Sequence, residues 1–183
     1  MNKIGTQRIE TERLILRPFT SADAEAMYHN WAADPEVTKY LTWQTHESPE
    51  ATRALLTDWV RHYAEGDFFE WAIVLKDTQE PIGSIGVVGL DEAIAAAEVG
   101  YCLGRAYWGR GLMPEALRAV MDFLFDEVDA ERVLARHDSE NPKSGRALQK
   151  AGMRLEGTLR RGGRNNRGII DVVLYAALSS DRG

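Results

Sequence analysis

The chain has 183 residues, of which 44% are hydrophobic and 27% are charged, and its formal net charge is −6. This composition is typical of a globular protein with one well-buried core, so we expect a single domain over residues 1–183 with an ordered core at about residues 8–178. The acidic balance repels phosphate backbones and anionic lipids, which argues against nucleic-acid and membrane partners. The single cysteine, Cys102, excludes an intrachain disulfide. Because no apolar run has the length of a signal peptide core or a membrane span, we expect a cytoplasmic location.

The first third of the chain predicts one strand followed by two helices. The apolar stretch Arg13–Phe19 reads as a strand that ends at a proline. Thr20 and Asp23 then have the spacing of a capping box, which predicts a helix over the segment "AEAMYHNWAA". A second helix begins after Ser48, with proline at its first position and glutamate in its first turn, and is expected to end at Gly66.

The rest of the chain predicts an antiparallel meander followed by two helix-strand pairs and a last strand. The meander consists of "FFEWAIVLKD", "IGSIGVVGLD" and "AAAEVGYCLG", which are rich in β-forming residues and divided by turns. The fold class is therefore α+β, with one mixed, mostly antiparallel sheet of about seven strands flanked by helices. The later elements are a helix at Leu112–Phe125, a strand at 132–138, a helix at Ser144–Ala151, and strands at 153–160 and 169–178.

A glycine-rich bend, "YWGRG", directly precedes the helix that begins at Leu112. Free backbone N–H groups and the helix dipole make such a helix start an anion site. Gly109 and Gly111 would let a phosphate approach the main chain, and Arg110 and Arg105 could add charged contacts. The residues after Gly111 fit neither a P-loop nor a dinucleotide fingerprint. Taken alone, the bend could also be only a tight strand-to-helix turn.

The order of the motifs resembles the GNAT superfamily of N-acetyltransferases. The stretch "AEVGYCLGRAYWGRGLMPEAL", the strand "RVLARHD" and the stretch "NPKSGRALQKAGMRLEGTLR" carry the likeness, which is closest to the RimJ and RimL types that acetylate ribosomal-protein N-termini. The opening "ETERLILRPFTSADAEAMY" is also similar to that branch. The resemblance implies the GNAT fold, in which the fourth and fifth strands splay apart, and acetyl-CoA as co-substrate.

The resemblance assigns the cofactor contacts residue by residue. It places the diphosphate on the main-chain N–H groups of the glycine bend and the pantetheine along the splayed strand. Asn141 would bond the pantetheine arm, and Ser144 would lie near the sulfur as the general acid, although both residues also fit a plain helix cap. The superfamily motif often begins with glutamine or arginine where this chain has Ala106. The implied cofactor-binding set is Tyr101, Cys102, Leu103, Arg105, Trp108, Gly109, Arg110, Gly111, Leu112, Met113, Asn141 and Ser144.

The implied chemistry is direct attack of an amine on the thioester. A backbone N–H near Cys102 or Leu103 would stabilise the developing oxyanion, and Ser144 would supply the proton for the thiolate. Members of the branch can carry a glutamate near the position that Gly163 occupies here. Glu98 is the substitute candidate base, because it shares a strand face with Gly100 and Cys102, and its alternative role is a salt-bridged strand carboxylate.

Other features bear on the acceptor and on chemistry that we do not expect. Trp43, in a loop-like segment, is the best candidate for substrate contact. No histidine is linked to Cys102 by a motif, which disfavours an acetyl-enzyme, and the four histidines have no ligand spacing, so we expect no metal. A cluster of arginines is typical of a solvated hairpin edge, or else would attract an acidic acceptor or the CoA 3′-phosphate; it comprises Arg160, Arg161, Arg164 and Arg167.

The leading hypothesis is an acetyl-CoA-dependent N-acetyltransferase whose acceptor is a protein or peptide N-terminal amine. An α-amino group titrates near about 8, against roughly 10.4 for lysine, so it needs less help from a base. The alternatives are acetylation of a small-molecule amine, such as an antibiotic, polyamine or amino-acid-like compound, and a non-catalytic acyl-CoA-binding protein. The expected partners are acetyl-CoA and the amine acceptor, and the expected state is a monomer or homodimer.

Overall fold

The computed structural model describes residues 1–182, and its centre is one eight-stranded sheet with the order β1-β2-β3-β4-β5-β6-β8-β7. All neighbouring strands are antiparallel except β5 and β6, which are parallel. The short first strand was not expected, so the sheet has one strand more than predicted. The strands are β1 Ile9–Glu10, β2 Leu14–Arg17, β3 Glu70–Leu75, β4 Glu80–Asp91, β5 Ala96–Leu103, β6 Arg132–Asp138, β7 Arg154–Asn165 and β8 Gly168–Leu178.

The helices begin where the capping residues indicate. The Asp23 carboxylate accepts a hydrogen bond from the Thr20 N–H at 2.8 Å, and Ser48 Oγ accepts from the Ala51 N–H at 3.3 Å. The first expected helix is composite, because a 3-10 turn precedes its α-helical part and a π-helical turn, Tyr28–Ala32, follows. The α-helices are α1 Ala24–Met27, α2 Pro35–Thr38, α3 Pro49–His62, α4 Leu112–Asp126 and α5 Pro142–Ala151.

Two expected helix boundaries differ from the structure by two residues or more, and α4 ends one residue later than expected, at Asp126. α3 ends at His62, four residues before Gly66, because Tyr63 caps it and the chain then turns. α5 begins at Pro142, two residues before Ser144, because Asn141 is its N-cap and proline is well suited to the first helical position.

Helices cover both faces of the sheet, and the alternation of side chains along the strands assigns each residue to one face. On one face α4 and α5 pack over a core that includes the fully buried Trp71, Leu117 and Val120. On the other face, α1, the π-helical turn and α3 pack over a second core that includes Trp31 and Leu56. Along β5, Tyr101 and its alternate residues therefore face α4 and α5, whereas Cys102 faces α1 and α3.

The sheet opens in its middle between β5 and β6. Their parallel pairing is limited to three register pairs, which begin at Ala96 with Arg132 and end at Glu98 with Leu134. Beyond Glu98, β5 continues to Leu103 without a partner on that side, so the expected splay is confirmed. In chain order the splayed strands are the fifth and sixth, because β1 precedes the seven expected strands.

The chain is anchored to the fold before residue 8. The Asn2 N–H donates to the Val128 carbonyl at 2.8 Å, and the Gly5 N–H donates to the Gly66 carbonyl at 2.7 Å. Over residues 1–182, no helix combines the length and the apolar character that crossing a membrane requires.

Candidate active site

The bend between β5 and α4 presents a set of free amides. Gly109 and Gly111 both have φ of +76°, in the left-handed region that glycine adopts without strain. Gly111 is the N-cap of α4. Within residues 1–182, the N–H groups of residues 109–113 have no backbone acceptor. These donors lie at the positive end of the dipole of a helix of 15 residues, which is the arrangement that binds anions.

The bend also leaves room for a bulky ligand. A Cβ added to Gly109 would have no atom within 4 Å, and one added to Gly111 would meet only the Arg13 guanidinium, at 3.5 Å. The Arg110 side chain is exposed, lies over the Tyr107 ring at 5.7 Å and forms no ion pair among the described residues. Free amides, open space and an unengaged guanidinium fit the diphosphate of a CoA thioester.

A carboxylate behind the bend holds the bend in place. Glu115 accepts hydrogen bonds from the Thr11 hydroxyl at 2.6 Å, the Arg13 N–H at 2.9 Å and Arg13 Nε at 2.7 Å. Arg13 Nη1 in turn donates to the Arg110 carbonyl at 2.9 Å. Burial would raise the pKa of Glu115, but the bonds from Thr11 and Arg13 outweigh burial and hold it below its usual value. The first turn of α4 is thereby fixed to the start of β2.

We expect the variant Glu115→Ala to lose about 2 kcal/mol of unfolding free energy, because its three donors would be left without an acceptor. For a chain of this length, that loss corresponds to a melting temperature lower by about 4–8 °C. The exposed Glu12, in the same segment, provides a matched control, Glu12→Ala, which should melt with the wild type in differential scanning calorimetry. Equal melting of the two variants would contradict this role of Glu115.

The splayed part of β5 turns two amides into the gap. The Gly104 N–H donates to the Ile82 carbonyl toward β4, and the Ala95 carbonyl accepts toward β6. Because peptide groups alternate along a strand, those of Tyr101 and Leu103 point into the gap and that of Cys102 points to β4. The Leu103 carbonyl is occupied by the Trp108 indole N–H at 2.7 Å. The donors left in the gap are therefore the N–H groups of Tyr101 and Leu103.

A pair of hydroxyls lies across the gap from these amides. Tyr101 Oη and Ser144 Oγ are 2.6 Å apart, which joins β5 to the first turn of α5. Asn141 caps that helix, and its Oδ1 accepts from the Ser144 N–H at 3.4 Å. Burial raises the pKa of the Tyr101 phenol, and the hydrogen bond with Ser144 opposes the rise only in part. The pair therefore stays protonated and can donate.

Two further residues of the implied cofactor set have partners within the protein. Arg105 Nε lies 3.0 Å from an Asp34 carboxylate oxygen, so its charge is engaged by the residue that caps α2. The Trp108 ring lies beneath Lys143 Nζ, 4.7 Å from the ring centroid, which connects the bend to the start of α5. The role of Arg105 at the diphosphate stays a prediction.

Glu98 and Cys102 lie on the face opposite α4 and α5. The Glu98 carboxylate is 3.3 Å from Arg136 Nε on β6, and the Glu98 side chain is 26% exposed. This is the salt-bridged state that the sequence left as its alternative. The Cys102 thiol is buried 3.5 Å from the Ser84 hydroxyl, and burial raises its pKa to about 11. The thiol is therefore protonated at neutral pH and is a poor nucleophile.

The turn between β7 and β8 closes over this same face. The Asn166 side-chain amide donates to the Thr38 carbonyl at 2.8 Å and to the Trp43 carbonyl at 3.0 Å. Trp43 is half-buried and packs on the His46 ring, with centroids 5.3 Å apart. The turn and the loop after α2 are thus joined to each other and cover part of the face that carries Glu98. Trp43 is part of this covering loop, and its contact with a substrate stays a prediction.

The hairpin β7–β8 contains the arginine cluster and also Gly163, near the position where the resemblance allows a glutamate. Arg160, Arg161 and Arg164 are exposed on β7, the edge strand of the sheet. Arg167 in the turn instead pairs with Glu140 at 2.8 Å. A Cβ at Gly163 would lie 2.6 Å from a methyl group of Val172, so β7 has no room for a side chain there.

Sequence reasoning missed two features of the site. It assigned Tyr101 only to the pantetheine, although its hydroxyl reaches Ser144. It also read Glu70 only as part of the strand segment "FFEWAIVLKD", although its carboxylate lies over β4 on the face of Glu98. The available signal was strand alternation, which puts Glu70 on one face with Ala72 and Val74, but alternation does not reveal what lies across the sheet.

Three features together define the class of the protein, which is an acyltransferase. They are the gap between the two parallel strands of the sheet, the free amides at the start of α4 and the paired hydroxyls. The model of the acetyltransferase (GNAT) domain matches residues 13–154. The N-acetyltransferase p20 of Bacillus licheniformis is 31% identical over 96% of this chain and 98% of its own length. The chain belongs to the GNAT family and is an N-acetyltransferase that uses acetyl-CoA.

Two further similarities concern enzymes with named substrates or ligands. The [ribosomal protein uS5]-alanine N-acetyltransferase of Escherichia coli is 26% identical over 82% of this chain and 79% of its own length. The structure of Mycobacterium smegmatis RimJ in complex with CoA-disulfide superposes with a TM-score of 0.86 at 21% identity, over 96% of this chain and 89% of that one. The latter shows that the two chains share a fold.

Proposed function

We propose that the enzyme acetylates the N-terminal α-amine of a protein or peptide. The observation that carries this proposal is the similarity, over 82% of the chain, to an enzyme named for an alanine of ribosomal protein uS5. Alanine has no side-chain amine, so an N-acetyl group on a protein alanine belongs on the α-amine of the first residue. The pKa of an α-amine, about 7.7–8.0, also gives more neutral nucleophile at pH 7 than a lysine side chain.

In this proposal acetyl-CoA is held at the two sets of free amides. The diphosphate accepts hydrogen bonds from the amides of residues 109–113 and a charged contact from Arg110. The pantetheine arm lies in the gap between β5 and β6, along residues 101–103 and near Asn141. The N–H groups of Tyr101 and Leu103 are the candidate donors to the carbonyl oxygen that gains negative charge during transfer.

The proton for the departing sulfur comes from the Tyr101–Ser144 pair. Ser144 lies in the first turn of α5, where the helix dipole favours a nearby thiolate. Because Tyr101 Oη and Ser144 Oγ are 2.6 Å apart, one hydroxyl can donate to the sulfur while the other replaces its proton. The pair acts as one unit.

The experiment is thiol release from acetyl-CoA with a panel of amines. The panel contains peptides that begin with alanine, serine or methionine, the same peptides with formylated N-termini and an internal lysine, and small amines such as spermidine. We expect release with free N-termini and none with the blocked peptides. Turnover of the lysine peptides or of small amines alone would contradict the proposal.

We expect Ser144→Ala to lower kcat by at least about tenfold while the Kd for CoA changes less than about threefold. Losing one hydroxyl of a coupled pair removes the proton path, whereas the cofactor keeps its amide contacts. Tyr101→Phe should cost a similar factor, and the double variant should be little worse than either single one.

Calorimetric titration with CoA and steady-state kinetics check these expectations. The exposed Ser139, in the loop that leads from β6 to α5, supplies a matched control, and Ser139→Ala should behave as wild type. Wild-type kcat in Ser144→Ala, or fully additive losses in the double variant, would exclude the shared proton path.

A further inference from the structure

Glu70 lies on the face of the sheet where the acceptor has to approach. It is in register with Gly86 on β4, which is in register with Gly100 on β5. The neighbouring row on the same face contains Ala72, Ser84 and Cys102 in register. The second core covers the row of Ala72 and Cys102, and α4, α5 and the glycine bend occupy the opposite face. An acceptor therefore has to reach the gap along the row of Glu70, Gly86 and Gly100.

The glycine at position 86 makes room for the Glu70 carboxylate. A Cβ built at Gly86 would overlap Glu70 Oε2. The carboxylate therefore lies directly over the backbone of β4, one strand away from the gap. At Gly100, the next residue in the row, the only side chain close to the Cβ position is that of Val88, at 2.9 Å. Val88 is 67% exposed and so can move aside.

The backbone of Glu70 is fixed on both sides. Its N–H donates to Thr6 Oγ1 at 2.9 Å, and its carbonyl accepts from the Tyr63 hydroxyl at 2.8 Å. The N-terminal arm and α3 thereby hold the residue at the start of β3. The carboxylate therefore extends from a backbone that is fixed in position.

The surroundings of Glu70 favour the neutral form of its carboxyl group. Burial raises its pKa to about 8, and hydrogen bonding to the Ser84 side chain opposes that rise. The titratable groups that face it are the Cys102 thiol on β5 and the phenol of Tyr63, the residue that caps α3, and burial raises the pKa of each. No lysine or arginine among residues 1–182 forms an ion pair with Glu70, although part of its side chain is open to solvent.

We propose that Glu70 is the general base that takes a proton from the acceptor amine, directly or through one water. The assignment rests on the proposed acetyl transfer to a free amine. Glu70 accepts one proton from the bound ammonium, and the neutral nitrogen then bonds to the acetyl carbon. The carbon-sulfur bond breaks with its electron pair on sulfur, which gains a proton from the Tyr101–Ser144 pair. The nitrogen loses its second proton, which restores the proton of that pair. The products are the amide, the thiol and one proton, which Glu70 releases to solvent.

Glu70 suits this role better than Glu98, the candidate from the sequence. The Glu98 carboxylate is paired with Arg136, so protonation would break an ion pair. Glu70 has no such partner, and a general base is most effective when its pKa lies near the operating pH. With its pKa raised by burial, Glu70 can take a proton from an α-amine, with a pKa of about 7.7–8.0, more readily than from a lysine, with a pKa of roughly 10.4.

The test compares Glu70→Gln and Glu98→Gln with a matched control, Glu156→Gln. Glu156 lies on the edge strand β7, and its carboxylate is paired with Arg132 on β6. The kcat/KM is measured from pH 6 to 9.5 with whichever free amine the wild type acetylates. We expect Glu70→Gln to lower kcat/KM about a hundredfold or more at neutral pH. The control should stay within about threefold of the wild type, and so should the Kd of Glu70→Gln for CoA.

A second readout does not depend on turnover. In the free enzyme labelled with 13C at glutamate carboxyls, one resonance should titrate near pH 8, as burial of Glu70 predicts, and should be missing from Glu70→Gln. The Ser84 hydroxyl opposes the raised pKa of Glu70, so Ser84→Ala should move that titration and the acidic limb of kcat/KM to higher pH together. The acceptor amine is unchanged in this variant, so the shift belongs to the enzyme.

The assignment would be overturned if Glu70→Gln kept its rate within about threefold, if Glu98→Gln alone lost the rate, or if no glutamate titrated above pH 6. These outcomes differ from failure of the proposed function. An enzyme that acetylates only small amines would refute the N-terminal acceptor, yet the Glu70 comparison would still be made with that amine.

Discussion

The double variant Gly109→Ala/Gly111→Ala will bind CoA about a hundredfold to a thousandfold more weakly than the wild type. Both glycines have φ of +76°, where a Cβ costs roughly 1–2 kcal/mol. The new methyl groups would also stand in the open space in front of the free amides. Loss of two hydrogen bonds to a charged diphosphate, at about 1.5–3 kcal/mol each, accounts for the expected loss of affinity.

Isothermal titration with CoA and with pantetheine separates loss of the anion site from general damage. Pantetheine has no diphosphate, so its affinity should be the same in the variant and the wild type. Gly152→Ala is the matched control, since Gly152 ends α5 with φ of +100° and also has open space around its Cβ position. It should lose stability but keep its affinity for CoA. An equal loss of affinity for both ligands in the double variant would mean that the bend is only a structural turn.

The second prediction with a large effect concerns Glu70→Gln and the pH dependence of the free energy of unfolding. The pKa of Glu70 is raised from 4.5 to about 8, so between these values the folded chain holds a proton that the unfolded chain releases. Raising the pH therefore favours unfolding, by about 1.4 kcal/mol for each pH unit in that window, or on the order of 5 kcal/mol over all of it. We expect Glu70→Gln to be more stable than the wild type at pH 9 and to lose that advantage at pH 5.

Urea unfolding of both proteins at pH 5, 6, 7, 8 and 9 checks this expectation. The difference between wild type and Glu70→Gln is the useful quantity, because His46 and His137 also contribute. Burial lowers the pKa of both histidines, so their effect is opposite in sign, with stability rising with pH up to about 6.5. Their contributions cancel in the difference. A difference that stays constant from pH 5 to 9 would show that Glu70 is ionised in the folded protein.

Local sequence signals were sufficient for most of the fold. Ser48 with Pro49, and Asn141 with Pro142, begin helices because capping and proline geometry act over a few residues. The strand β6 also has the expected bounds. The short β1 was missed because a strand of two residues has no periodicity, and the π-helical turn at Tyr28–Ala32 was missed because a helical pattern does not reveal an inserted residue.

The candidate site was predictable only where a contiguous motif carries it. The glycine bend and the Asn141–Ser144 segment are contiguous, and the structure places both beside the gap. Glu70 depends on Gly86 in a different strand, and the ion pair of Arg105 depends on Asp34, about seventy residues earlier in the chain. Such pairs are set by strand register and by the course of long connections, which no short stretch of sequence encodes.

Only three residue pairs join β5 to β6, so few backbone hydrogen bonds connect the two halves of the sheet. A pantetheine arm in that opening would act as a missing strand and tie the two halves together. Any ligand that binds only the folded form adds stability in proportion to the logarithm of its concentration, about 2.7 kcal/mol at a hundred times its Kd. The supply of acetyl-CoA would then govern the resistance of the enzyme to proteolysis as well as its rate, so that starvation for the thioester shortens the life of the protein.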